Sequence, residues 1–450
     1  MKIKTLSIAI ACALPMSGAF AAALDRSGQS ISPFLQSGNY FEVGGAVLDP
    51  TVEGKDTSGN DTGDMAKSYH QLNTAIKIQP TEHFSFGLIY DQPFGANAEY
   101  SGNSNFVSKP TDAVLPSSIT SSLPSSVSGV VSQINSNQAL STITGNSQVT
   151  GDTKVSVTSH NLSLVLGFQP NENWNFYAGP VYQTIKGTVN LRGSTYSLYN
   201  GYDANFKEDG SWGWLAGFAY QIPEIALKAS LTYRSEIDHE MTTNENVPLA
   251  SSLGSLSSTI SAISPTLGAG VAQFTAATSE QGKTKITTPQ SVNLDLQTGI
   301  MENTIAFANI RWVNWKNFSI RPYQFGKVSE VVTQIAAGSS KGFNLVDYSK
   351  DQWSVTAGVG RKFSEKWSGT ASVGWDSGAG NPVTTLGPTE GYWNVGLGAQ
   401  YSPAANYFVA GGIKYFWLGD ADAQTGAHTA AGEFSDGHAI VYGLKLGYRF

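Results

Sequence analysis

The chain is poor in cysteine, in charge and in long apolar runs. Cys12 is the only cysteine in 450 residues. It lies inside an N-terminal segment that reads as a cleaved signal, so the mature chain has no thiol with which to form a disulfide. Lipid attachment at Cys12 is disfavoured by Ala9, a poor residue three positions before it. Charged residues make up only 14% of the chain. Removing Lys2 and Lys4 from the 27 basic residues leaves 25 against 34 acids, a mature net charge of about −9. Nothing here offers nucleic acid the clustered Lys and Arg that it requires.

Only Leu6 to Leu14 forms an extended apolar run. A helix spanning a bilayer needs about 20 such residues, so a retained N-terminal membrane helix is disfavoured and no second candidate exists. Membrane insertion, if any, must use strands. The six histidines (His70, His83, His160, His239, His428 and His438) sit in no nucleophile or metal motif. The expectation is a protein that is not an enzyme and that carries no cofactor and no metal.

What is present points one way. Lys2 and Lys4, the Leu6 to Leu14 core and Ala19-Phe20-Ala21 have the order of a secretory signal over 1–21. Residues 22–39 then precede the first strand, and 40–450 carry period-2 alternation. Ile440, Tyr442, Leu444, Leu446, Tyr448 and Phe450 fall on one face of the last strand, against Val441, Gly443, Lys445, Gly447 and Arg449. Lipid outside and water inside explain that alternation, although a soluble sandwich strand would show it too. Glycine, at 48 residues, suits a wall of closely spaced strands.

The alternation predicts fourteen strands, over 40–52, 68–79, 83–99, 154–169, 174–190, 211–222, 225–242, 284–299, 304–318, 348–363, 367–376, 391–401, 407–418 and 438–450. Their connections alternate between short turns and long loops, with 100–153 and 243–283 the longest. Short periplasmic turns and long external loops are the outer-membrane arrangement. The predicted fold class is therefore all-β, a transmembrane antiparallel barrel. Trp174, Trp212, Trp214, Trp312, Trp315, Trp353, Trp367, Trp375 and Trp393 gather near strand ends, as interface girdles would place them. Residues 115–143 and 247–275 mix apolar residues with serine, and Leu123-Pro124-Ser125-Ser126-Val127 has the form of a helix start. Short amphipathic helices on the external mouth are expected, with disorder the alternative.

Several segments carry a resemblance. Thr232-Tyr233-Arg234-Ser235-Glu236-Ile237, Thr288-Pro289-Gln290-Ser291-Val292, Trp312-Val313-Asn314-Trp315-Lys316-Asn317-Phe318 and Gly391-Tyr392-Trp393-Asn394-Val395-Gly396-Leu397-Gly398 occur in an order and spacing over 40–450. That order is similar to the outer-membrane family of long-chain fatty acid and aromatic hydrocarbon transporters. The resemblance implies a lumen blocked by an N-terminal hatch, a greasy site among the external loops and sideways release into the bilayer. It also implies a passive channel for fatty acids or similar hydrophobic molecules. One departure stands out. The family's Asn-Pro-Ala hatch motif is absent, and only about 22–39 is available as a plug, with Leu24, Ile31, Phe34 and Leu35 as its apolar side.

Pro93 and Gly95 interrupt the third strand at the place where the family kinks. They mark either a lateral portal or a turn that ends the strand. A fatty acid carboxylate needs a cation. Arg192 and Arg321 lie near the family's two basic head-group positions, with Lys186 and Lys316 as competitors. Arg234 and Glu236 are read as an inward structural pair. The terminal Tyr448 and Phe450 resemble the assembly signal of outer-membrane barrels. The partners implied are a hydrophobic substrate, outer-membrane lipid and lipopolysaccharide, and the barrel assembly machinery, around a monomer. A polar porin, an adhesin and a neutral-hydrocarbon channel are the alternatives.

Overall fold

The computed structural model describes residues 23–110, 112, 149–255, 257–263, 265–426 and 428–450. The expected signal and the expected helix over 115–143 lie outside these residues. Fourteen antiparallel strands close into one barrel. They are β1 (Tyr40–Asp56), β2 (Tyr69–Ile78), β3 (Phe84–Asp91, resuming at Gly95–Glu99), β4 (Lys154–Phe168), β5 (Trp174–Asn190), β6 (Asp203–Ile222) and β7 (Leu227–Arg234 and Ile237–Asn246). The second half comprises β8 (Lys283–Thr288 and Ser291–Met301), β9 (Thr304–Val313), β10 (Gln352–Lys362), β11 (Trp367–Asp376), β12 (Tyr392–Ala404), β13 (Tyr407–Leu418) and β14 (Gly432–Arg449). Closure comes from β1 against β14, paired from Tyr40↔Arg449 to Asp56↔Gly432 with one register shift between Thr51 and Glu53. A closed ladder leaves no edge, which is the only way a sheet can satisfy its backbone in lipid. No helix among the described residues is long and apolar enough to cross a membrane.

The alternation sorts side chains as lipid and water demand. Tyr442, Leu444, Leu446, Tyr448 and Phe450 are exposed on the outside, whereas Val441 and Lys445 are buried inside. Trp174, Trp212, Trp214, Trp353, Trp367, Trp375 and Trp393 are exposed on the wall, as a girdle requires. Trp315 is a correction to the girdle: it is fully buried. Strand β9 ends at Val313 and a short 3₁₀ turn at Trp315–Asn317 swings the indole inward, where its Nε1 donates to Gln352 Oε1 at 2.7 Å. Strand β6 begins at Asp203 rather than 211, and β14 at Gly432 rather than 438. These extensions stand at the long-loop end, where polar residues replace apolar ones and the period-2 hydrophobic signal fades.

The long loop after β7 holds helices α1 (Pro248–Ser255), α2 (Ser257–Ile263) and α3 (Pro265–Ala277), where short helices were expected. A further helix, α4 (Tyr323–Ala337), lies in the loop after β9. It opens behind Pro322 and ends on Gly338, whose φ of 64° is the left-handed cap that glycine accommodates.

The wall's alternation slips by one residue in β3, β6, β7, β8 and β14. In β7, Arg234 is buried, Glu236 is exposed, and Ile237, His239 and Met241 then point inward. The expected Arg234–Glu236 pair is therefore absent, because the break at Ser235-Glu236 puts the two side chains on opposite faces. Arg234 donates instead to the Gln29 carbonyl at 3.0 Å.

Candidate functional site

The N-terminal residues 24–36 lie against the inner faces of the strands. Polar contacts hold this segment. Arg311 Nε donates to Asp25 Oδ2 at 2.7 Å, with both side chains at most 4% exposed. The same guanidinium reaches Asn293 Oδ1 at 2.7 Å and Gln29 Oε1 at 3.0 Å. Ser27 Oγ donates to Asp91 Oδ2 at 2.6 Å, and Lys228 Nζ donates to the Leu35 carbonyl at 2.7 Å. Ile31, Phe34 and Leu35 are buried in one apolar cluster with Ala75, Ile89, Val165 and Tyr177. Phe34 stands edge-on to Tyr177 at 5.9 Å. Leu24 lies apart from this cluster, at the floor of a cavity on the long-loop side.

That cavity encloses about 1190 Å³, counting its open mouth. Small-molecule sites commonly occupy roughly 300–1,000 Å³. Its walls are the inward Val52, Val155, Ile185, Val189 and Met241. Leu345, Val346, Tyr348 and Leu386 come from the external loops and roof it. Burial holds the Tyr348 phenol above its ordinary range, so this part of the roof is uncharged. A second cavity of about 1640 Å³ lies on the short-turn side of the segment and is polar, touching Glu42, Asn73, Lys228, Asp295, Lys414 and Lys445. The N-terminal segment thus borders both chambers, the apolar one through Leu24 and Arg26 and the more polar one through Ser27, Ser32 and Gln36.

Strand β3 kinks where the segment meets it. Arg26 N donates to the Pro93 carbonyl at 2.6 Å, and Gly95 N donates to the Leu24 carbonyl at 2.9 Å. Between β2 and β3 the ladder runs from Ile78↔Phe86 to Thr74↔Tyr90 and resumes only at an Ala66↔Ala98 bridge. Across the unpaired stretch, Leu72 N donates to the Gln92 side-chain Oε1 at 3.0 Å. Pro93 supplies no N–H and Gly95 no side chain, which is why the ladder fails here. Tyr69, Gly95 and Ala96, which flank this breach, also line the apolar cavity.

The four basic residues expected at a carboxylate site are scattered. Arg192 pairs with Asp203 at 2.6 Å and donates to the Leu191 and Tyr202 carbonyls. Arg321 pairs with Glu330 at 3.0 Å and braces α4. Lys316 is exposed on the 3₁₀ turn. Lys186 alone of the four lines the apolar cavity, at its rim, 3.5 Å from Glu208. Sequence reading missed Arg26, which lines the cavity floor with its guanidinium 3.6 Å above the Tyr69 ring. The signal was present: Asp25 and Arg26 are adjacent, and neighbours on an extended chain point apart, so they do not neutralise each other. Among the described residues, no cluster of three or more His, Cys, Asp or Glu side chains is placed to hold a metal.

The chain matches the family model of the outer membrane protein transport proteins (OMPP1/FadL/TodX) over residues 13–450. Its fold is similar to a Pseudomonas aeruginosa FadL homologue, at 14% identity and a TM-score of 0.63, covering 99% of this chain and 98% of that one. It is also similar to the P. putida toluene transporter TodX, at 12% identity, a TM-score of 0.58 and 93% and 91% coverage. The Ralstonia pickettii toluene transporter TbuX gives 12% identity, a TM-score of 0.54 and 97% coverage of both chains. No curated protein sequence matches significantly. A closed fourteen-stranded wall, an inward N-terminal segment and a family match across nearly the whole length agree: the chain belongs to the OMPP1/FadL/TodX family of outer-membrane transport proteins.

Proposed function

We propose that this barrel is a passive channel for hydrophobic molecules, long-chain fatty acids or similar compounds. Substrate settles in the apolar cavity beneath the external loops and leaves sideways between β2 and β3. The observation that carries this reading is the coincidence of cavity and breach: Tyr69, Gly95 and Ala96 border both. Residues 24–36, with Ile31, Phe34 and Leu35 buried against the wall, act as the plug that denies a direct route to the wet chamber below. Lateral release suits the cargo. Each CH₂ moved from water to an apolar phase gains about 0.8 kcal/mol, so a water-filled exit would hold an acyl chain back. Pro93 and Gly95 keep the exit open, and Lys186 meets acidic cargo at the rim.

A neutral-hydrocarbon channel is the second reading. Arg192 and Arg321 are engaged with Asp203 and Glu330 and do not line the cavity, which fits uncharged cargo equally well. The test is uptake of labelled oleate and of labelled alkane by cells that lack their own fatty-acid uptake and express this barrel. Uptake of either above the empty-vector level supports the channel. A well-assembled barrel that admits neither overturns it.

A further inference from the structure

Four charged side chains line the apolar cavity: Asp25, Arg26, Lys67 and Lys186. Three are answered by ion pairs. Asp25 meets Arg311 at 2.7 Å, Lys67 meets Glu99 at 3.5 Å, and Lys186 meets Glu208 at 3.5 Å. Arg26 is different. Among the described residues no carboxylate comes within 4.0 Å of its guanidinium, and its contact is the face of the Tyr69 ring at 3.6 Å. A methyl group placed on Gly95 would come within 2.6 Å of Arg26 Nη1, so the guanidinium also lies flat against the kink of β3. Tyr69 is on β2 and Gly95 on β3, the two sides of the breach. The cation therefore spans the unpaired stretch of wall, at the floor of a greasy chamber, with its fork of N–H donors unclaimed by any carboxylate.

We propose that Arg26 binds the substrate carboxylate at the floor of the apolar cavity, beyond the rim where Lys186 stands, and makes the channel selective for hydrophobic acids over neutral hydrocarbons. This rests on the channel reading above and narrows it to one substrate class. A guanidinium offers five donors in a planar fork that fits a carboxylate bidentately, and a desolvated cation has much to gain from one. The ring of Tyr69 holds one face of the guanidinium by a cation–π contact and leaves the edge to the cargo. An acid bound there has its head at the breach and its tail among Val52, Val155 and Met241, ready to slide into lipid.

The test is binding of oleate and of oleyl alcohol, matched in chain length, to the purified barrel in lipid nanodiscs. The comparison is among the native chain, Arg26→Met and Arg26→Lys. Arg26→Met is expected to weaken oleate by roughly tenfold or more and to leave oleyl alcohol within about twofold. Arg26→Lys, which keeps the charge but loses the fork, is expected to fall between. Equal changes for both ligands, or no change for either, overturn the proposal. A native chain that binds oleyl alcohol but not oleate overturns it while leaving the channel intact. A native chain that binds neither removes the channel reading as well. Resistance of the folded barrel to unfolding by sodium dodecyl sulfate, measured for each variant, separates lost binding from lost fold.

Discussion

Among the described residues the wall's backbone ladder has two long gaps, and the two are built differently. Between β2 and β3 the pairing stops at Thr74↔Tyr90 and the inner side opens on the apolar cavity. Between β6 and β7 it stops at Arg234↔Leu215 and resumes at Thr243↔Phe206. This second seam is packed shut. Ser235 N donates to the Trp214 carbonyl at 2.9 Å, and Trp214 N donates to Ser235 Oγ at 3.0 Å. Behind them His239 joins Asp209 and Gln183, each at 3.0 Å, and Thr288 Oγ1 donates to Gln183 Oε1 at 2.7 Å. Ile237 packs closely against Gly213 and leaves only a small cavity beside Trp214 and Arg234. Backbone groups at membrane depth must be satisfied. The seam satisfies several of its own with side chains and shuts. The breach satisfies its own with the N-terminal segment and Gln92, which leaves room beside a chamber. A missing ladder is thus not in itself a door; what stands behind it decides.

The largest expected effect probes the segment that holds the breach in shape. Arg311→Met leaves Asp25 as a buried, unpaired charge, and breaking such a pair typically costs about 3–5 kcal/mol. The Arg26 and Gly95 amides, which bond to Pro93 and Leu24, should then exchange with solvent roughly a hundredfold faster or more. The Ser235 amide in the seam should keep its native rate. Hydrogen exchange read by mass spectrometry or NMR decides this, and equal acceleration at both places would mean that the segment supports the whole barrel rather than the breach.

Next comes transport itself. Replacing Pro93 and Gly95 together by valine restores an N–H and two strand-forming side chains, so β3 can continue its ladder. Uptake of labelled oleyl alcohol, chosen because it makes no demand on Arg26, should fall by about tenfold, a change of roughly 1.4 kcal/mol. Undiminished uptake would remove β2–β3 as the exit. A smaller effect belongs to the seam. His239→Ala removes the partner that Gln183 and Asp209 share, for a loss of about 1–3 kcal/mol in folded stability. The urea midpoint in lipid vesicles should drop while uptake stays within about twofold. A large fall in uptake would make the seam a second route.

The sequence carries this comparison only halfway. All fourteen strands are legible because lipid on one side and water on the other print a period of two along each strand, and the loop helices over 247–275 follow from their apolar–serine mixture. The slips are not legible, since an inserted residue leaves the composition unchanged while it reverses every face beyond it. Glu236 faces out for that reason, and His239 reaches a buried network that its own neighbours do not foretell. Trp315 looked like a girdle residue because position near a strand end says nothing of a turn that points the side chain inward. Arg192 and Arg321 carried the right chemistry, but their partners Asp203 and Glu330 are set by loop geometry. Pro93 and Gly95 marked the break; that a chamber lies behind this break and packed side chains lie behind the other needed three dimensions.

The smallest effect tests a side-chain staple across the breach, one of the few polar side-chain contacts that bridge it. Gln92 accepts from Leu72 N through Oε1 at 3.0 Å, and its carbonyl accepts from Gln71 Nε2 at 3.3 Å. Gln92→Ala deletes the first bond and leaves the second. A net hydrogen bond is worth about 1 kcal/mol, or roughly a fivefold shift between closed and open forms at most. If the breach breathes during release, uptake of oleyl alcohol should rise by about two- to fivefold, because less holds the strands together. Ser235→Ala removes the corresponding bond from Trp214 N in the seam and should leave uptake where it was, since His239 and Ile237 still block the way. A rise in the first variant without the second would assign the exit to the chamber behind the breach, whereas an equal rise in both would mean that any weakened ladder suffices and that the cavity does not direct the cargo.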